Sequence, residues 1–127
     1  MKKMILDLDT GVDDALAISY ALGSPEVELI GITGTYGNVL MEQGVRNALA
    51  ITELLGHPEV KVYRGLDHSS TTDSFQVLEI SSFIHGQNGI GEVVIADATR
   101  RIPRRWTSSS MRRRPTARTS CTCRPAR

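Results

Sequence analysis

The 127-residue chain contains no run of eighteen or more apolar residues, and without one no helix can cross the hydrocarbon core of a bilayer. Its opening, Met1-Lys2-Lys3, is basic, but the apolar stretch that follows is too short for the core of a secretory signal. A cytoplasmic protein is therefore expected. Cysteine is nearly absent: Cys121 and Cys123 are the only two and stand one residue apart. With no second pair at ligand spacing, they specify neither a zinc site nor a disulfide framework. There is no internal repeat, and the length suits one domain rather than a multidomain enzyme.

Acid is missing from one end. All 14 Asp and Glu residues lie in residues 1–97, beside five basic residues, for a formal charge of −9. Residues 98–127 carry ten Arg, no Lys and no acid, so the near-neutral total of +1 hides two oppositely charged parts. In that last part only Ile102, Trp106 and Met111 are large and apolar. Such a composition cannot bury enough surface to offset the entropy of ordering the backbone. The expected organisation is a folded domain over 1–97 and a basic, disordered tail over 98–127.

Within the acidic part the pattern alternates. Met4-Ile-Leu-Asp-Leu8 is a short apolar run of the kind found in buried parallel strands. Asp9-Thr10-Gly11 makes a turn, and the spacing of Ala15, Leu16, Ile18 and Leu22 predicts a helix from Val12 to about Leu22, stopped by Gly23-Ser24-Pro25. Val27–Thr33 reads as a second strand, and 34–38 as a glycine-rich loop. A second helix is expected from Leu40 to Leu55, with Val45, Leu49, Thr52 and Leu55 on one side and Gly56 ending it. Val60–Tyr63 is a third strand, 67–76 a polar loop, and 77–84 a short helix. Phe75, Leu78, Phe83 and Ile84 are expected in the core, and His57 and His68 at the surface. Alternating strands and helices imply an α/β fold: a Rossmann-like parallel sheet with right-handed crossovers and flanking helices. Such sheets bind ligands at the carboxyl ends of their strands, where Asp7, Asp9, Thr33 and Asn38 fall.

Asp7, Asp9, Asp13 and Asp14 crowd one strand–turn–helix corner. One pair of ionised carboxylates 4 Å apart costs about 4 kcal/mol at an effective dielectric near 20. A helix N-terminus returns only about 0.3–1 kcal/mol per anion. A hard divalent cation resolves the imbalance, and a donor set of oxygens alone favours Ca²⁺ or Mg²⁺ over Zn²⁺. Taken singly, Asp9 could brace the turn, Asp13 could sit in the first helical turn for its dipole, Asn38 could fill a turn or cap a helix, and His85 could be structural.

Three ordered blocks carry a family resemblance. Asp7-Leu-Asp9-Thr-Gly11-Val-Asp13-Asp14-Ala15 resembles the D-x-D-x-G-x-D-D-A signature of the inosine/uridine-preferring nucleoside hydrolases. Ile32-Thr-Gly-Thr-Tyr-Gly-Asn38 resembles their I-T-x-x-x-G-N loop, and His85-Gly-Gln-Asn-Gly-Ile-Gly91 their H-G-x-x-G-x-G segment. The resemblance spans residues 4–91 and stops by 97. It implies the N-terminal portion of that fold and hydrolysis of the N-glycosidic bond of purine or pyrimidine ribonucleosides to ribose and free base. It implies that Asp9 and Asp14 bind Ca²⁺, that Asp13 is the general base, and that Asp7 supports the metal ligands. Asn38 would bind the ribose and His85 would sit beside the nucleobase. Full-length members are expected to be homo-oligomers.

The family's later half supplies another metal-binding Asp, a carbonyl ligand and a leaving-group histidine, none of which has a counterpart here, so this chain is expected to be truncated and inactive. Reading the codons of residues 106–114 one base earlier gives a string of the kind V-D-F-I-V-D-A-A, an amphipathic helix similar to the family's next one. The tail is thus expected to be out-of-frame product that begins between Asp97 and Arg100. Two other functions remain open at this point. One is a metal-dependent phosphatase of the haloacid-dehalogenase type, although Thr10-Gly11 reverses its usual glycine–threonine order. The other is nucleic-acid binding through the arginines, which the absence of Lys and of interleaved aromatics disfavours.

Overall fold

The computed structural model describes residues 1–95, and the expectations for the tail lie outside the described residues. The elements run β1 (Lys2–Leu8), α1 (Val12–Gly23), β2 (Val27–Gly34), α2 (Met41–Leu54), β3 (Lys61–Arg64) and α3 (Glu79–His85). β1 starts two residues before the apolar run, because pairing extends through Lys2 and its amide donates to the Glu26 carbonyl at 2.7 Å. α2 ends as its sequence predicts: Gly56 adopts φ +80° and its amide bonds back to the Glu53 carbonyl.

The three strands are parallel in the order β1-β2-β3, with Asp7 opposite Thr33 and Thr33 opposite Tyr63. Consecutive right-handed crossovers that step the same way across a sheet put both helices on the same face. α1 and α2 accordingly pack on each other and on β2. The core lies between them and the sheet: Ile18 and Ala21 of α1, Leu29 and Ile32 of β2, Val45, Ala48, Leu49 and Ile51 of α2, and Val60 and Val62 at β3. Each fully buried Val, Leu or Ile among them stabilises the fold by about 1.5–3 kcal/mol relative to exposure, and the alanines by less.

Two expectations about the core need correction. Leu55 is 41% exposed, since α2 is already turning into its cap there. Leu78, Phe83 and Ile84 are exposed as well, Phe83 by 86%, and no residue of α3 is buried. The short α3 presents these side chains to solvent rather than to the core. Phe75 is half-buried, its ring 4.8 Å from that of Tyr36 and tilted by 55°. The sheet face opposite the helices is also uncovered among the described residues, and Ile5 on it is 65% exposed.

Candidate active site at the β1–α1 corner

The chain leaves β1 at Leu8 and turns through Asp9-Thr10-Gly11 into α1. Thr10 is fully buried with φ +46°, a left-handed conformation that costs a β-branched residue on the order of 1–3 kcal/mol. The turn is held in it by the Thr10 hydroxyl, which donates to the Gly44 carbonyl at 3.2 Å. That hydroxyl pins the corner to α2. The kink brings the carboxylates together: Asp14 lies beside Asp9, close enough for their charges to interact, and accepts the Gly11 amide at 3.0 Å.

Burial raises the Asp14 carboxyl above its ordinary range. The Gly11 amide opposes the rise, and the charges of Asp9 and Asp13 add to it. The pair is therefore short of positive charge, and an oxygen-only donor set of this kind fits a hard divalent cation. Among the described residues no three His, Cys, Asp or Glu side chains form a group that could hold a metal ion. Asp9 and Asp14 by themselves do not make up such a group.

The other two motifs close on this corner. The Asn38 amide donates to Asp9 Oδ2 at 2.9 Å. A Cβ on Gly37 would stand 2.1 Å from that same oxygen, so only glycine lets the loop after β2 approach so closely. From the third motif, His85 Nδ1 accepts the Val12 amide at 3.1 Å, which satisfies one of the orphan donors of the α1 N-terminus. His85 is only 15% exposed and its Nδ1 lies 3.8 Å from Asp13 Oδ1, whereas the Asp13 side chain is 77% exposed. Gly11 is where they converge. A Cβ there would lie within 2.9 Å of Asp13 Oδ1, His85 Cε1 and Asn38 Nδ2.

Five of the six residues named from the sequence are therefore gathered: Asp9, Asp13, Asp14, Asn38 and His85. Asp7 stands apart. It is exposed within β1 and makes no hydrogen bond to the cluster among the described residues. His57 and His68 sit at the surface beside Glu59 and Asp67, as expected.

Two supporting residues escaped the sequence reading. The strain at Thr10 has no sequence signal. Asn47 had one, a polar residue on the apolar side of α2 between Val45 and Ala48. It is buried, accepts from Gln43 Nε2 at 2.9 Å and donates to the Asn88 carbonyl at 2.6 Å, tying the third motif to α2.

Comparison with known proteins identifies the family and the fold. The family model described as inosine-uridine preferring nucleoside hydrolase matches residues 4–122, which reaches further into the basic segment than the three motifs do. A Corynebacterium ammoniagenes protein, described as an uncharacterized protein in the ribF 3′ region, is 56% identical over 94 residues, which are 74% of this chain and 98% of that one. The inosine-uridine preferring nucleoside hydrolase of Leishmania major is 39% identical over 92 residues, 72% of this chain but 28% of that one. Among solved structures, a purine-preferring ribonucleoside hydrolase from Gardnerella vaginalis superposes with a TM-score of 0.78 at 80% identity. That match covers 80% of this chain and 32% of the Gardnerella chain. The chain thus spans under a third of these two hydrolases, and its parallel α/β sheet is the corresponding part of their fold. The chain belongs to the inosine-uridine preferring nucleoside hydrolase family.

Proposed function

We propose that this chain carries the N-terminal half-site of a nucleoside N-ribohydrolase, an enzyme that splits ribonucleosides into ribose and free base. The observation that carries the reading is the convergence of Asp13, His85 and Asn38 on Gly11, next to the paired carboxyls of Asp9 and Asp14. Family membership sets aside the phosphatase alternative. The 80% identity to a purine-preferring enzyme favours purine ribonucleosides as substrates. A cytoplasmic site of action and a homo-oligomeric full-length form belong to the same reading.

Asp9 and Asp14 would hold the metal, for which we take Ca²⁺, and the ion would supply Lewis-acid activation of water and a hold on the ribose diol. Of the three cluster carboxylates, Asp13 is the one without a backbone N–H bond among the described residues. It is the side chain free to take the proton of the attacking water. Water oxygen bonds to the sugar's anomeric carbon as the bond to the base nitrogen breaks, through an oxocarbenium-like state related to that of glycosidases. The Asn38 side-chain amide would bond a ribose hydroxyl. Because His85 Nδ1 accepts from Val12, the neutral ring carries its proton on Nε2, and that N–H would donate to an acceptor on the nucleobase. Asp7, outside the cluster, would act only through the backbone of β1.

The test is a chain restored to full family length and assayed on inosine and uridine. Asp13→Ala should lower kcat by about 10²-fold or more. If Asp9→Asn abolishes turnover with metal retained while Asp13→Ala changes only KM, the proton acceptor is Asp9. Hydrolysis of neither nucleoside would overturn the reading.

A further inference from the structure

One side chain closes the 85–93 segment on itself. Asn88 Oδ1 accepts the amides of Ile90 at 3.0 Å and Glu92 at 2.9 Å, and Asn88 Nδ2 donates to the Val93 carbonyl at 3.0 Å. The Asn88 backbone carbonyl takes the Asn47 bond that ties the segment to α2. The Gly91 amide donates to the His85 carbonyl at 2.8 Å, so the loop returns to its own start. Glu92 sits at φ +62°, a left-handed conformation that a non-glycine residue keeps only where its surroundings impose it. Its amide bond to Asn88 Oδ1 is one such constraint.

The residue that follows makes this carboxamide chemically vulnerable. Of the three Asn in the chain, Asn38 precedes Val39, Asn47 precedes Ala48 and Asn88 precedes Gly89. Glycine has no side chain to hinder attack by its own nitrogen on the preceding side chain. In that reaction the Gly89 nitrogen loses its proton to base and bonds to Asn88 Cγ. The Cγ–Nδ2 bond breaks and ammonia leaves, closing a succinimide ring. Water then adds to one ring carbonyl and opens the ring to aspartate, or to isoaspartate, in which the main chain runs through Cγ. The balance is one water consumed and one ammonia released.

The fold opposes the first step. Gly89 is buried, and its amide donates to the Gly86 carbonyl at 3.2 Å, so the attacking nitrogen is occupied. Both polar atoms of the carboxamide are engaged as well. Reaction therefore requires local opening of the segment. After it, the old closure is lost. Aspartate sets a carboxylate oxygen against the Val93 carbonyl, two acceptors with no proton between them, and isoaspartate lengthens the main chain by one carbon.

We propose that Asn88 is a site of spontaneous deamidation, gated by opening of the 85–93 segment, and that its conversion irreversibly releases His85 from the N-terminus of α1. The chemistry is independent of the functional reading above; only its consequence for a nucleobase beside His85 rests on that reading.

The experiment incubates the 127-residue chain at mildly alkaline pH with and without urea. Mass spectrometry follows the tryptic peptide of residues 65–100, in which Asn88 is the sole Asn. Conversion should be slower in the folded chain by about tenfold or more, as for a segment that is open a tenth of the time or less. Asn47→Leu should speed conversion of the folded chain. The Val12 amide has no acceptor within α1, so its hydrogen exchange reports the bond to His85. That exchange should rise in Asn88→Asp while β2 stays protected. The converted fraction of the parent chain, separated by its added negative charge, gives a second sample should Asn88→Asp fail to fold. Equal rates with and without urea would overturn the gating, and no conversion in urea would overturn the site. Unchanged Val12 exchange in the converted chain would overturn the release of His85.

Discussion

Asp14 accepts a hydrogen bond from the Gly11 amide, in a partly buried position flanked by the charges of Asp9 and Asp13. Its pKa is raised, so the folded chain holds that proton more tightly than the unfolded chain does. The resulting penalty is absent below the ordinary carboxyl value of about 3.9 and grows as pH rises through it to the folded value. Without metal at pH 7, Asp14→Asn should raise Tm by about 2–4 °C, a figure discounted for the solvent that reaches the carboxyl. The gain should vanish near pH 3. Added Ca²⁺ should raise Tm of the parent chain but not of the variant, as thermal melts with and without Ca²⁺ would show; no rise in the parent would count against cation binding. At the same scale, Gly37→Ala forces a methyl onto Asp9 Oδ2. It should lower Tm at a cost of about 1–3 kcal/mol and remove the Ca²⁺ response together with the Asn38–Asp9 bond.

Among the elements, α2 does more than supply the core. It receives the Thr10 hydroxyl at Gly44 and, through Asn47, holds the 85–91 segment to itself. Asn47→Leu should cost about 1–3 kcal/mol, since the Asn88 carbonyl loses its donor. Hydrogen exchange should rise selectively over residues 86–92 while α1 and β2 stay protected. Exchange that rises uniformly would assign Asn47 to general packing. Conversely, α3 has no buried residue, and Phe83→Ser should leave Tm within about 1 °C, because exposed positions away from special features contribute little. A fall of several degrees would place Phe83 in a core contact.

Among the described residues, the sheet has helices on one face and apolar residues are exposed on several sides: Ile5 on the sheet, Leu16 and Tyr20 on α1, and Leu78 and Phe83 near α3. Surface of that kind marks an interaction site or an aggregation liability. Light scattering of the isolated chain should show concentration-dependent association, reduced by Ile5→Glu; a strictly monomeric chain at high concentration would contradict it. The DNA from the codon of Ile95 onward settles the origin of the basic segment. An open second frame carrying further Asp and His codons would support the out-of-frame expectation; a closed one, in keeping with the family match that runs to residue 122, would make the arginine-rich segment a genuine element.

The strands and helices were legible because each carries its own periodicity and punctuation: the apolar runs of β1 and β2, the Gly23-Ser24-Pro25 stop and the Gly56 cap. The corner of carboxylates was legible for a related reason, since residues 7–14 are neighbours in sequence and their repulsion can be reckoned from spacing alone. Tertiary structure decided the rest. Whether an apolar residue is buried depends on a partner surface, so Phe83 and Leu78 were misplaced in the core. The contacts of His85 with Val12, Asn38 with Asp9 and Asn47 with Asn88 join residues 29 to 73 positions apart. No local pattern encodes a pairing at that range. Parallel strands wound with one handedness bring it about.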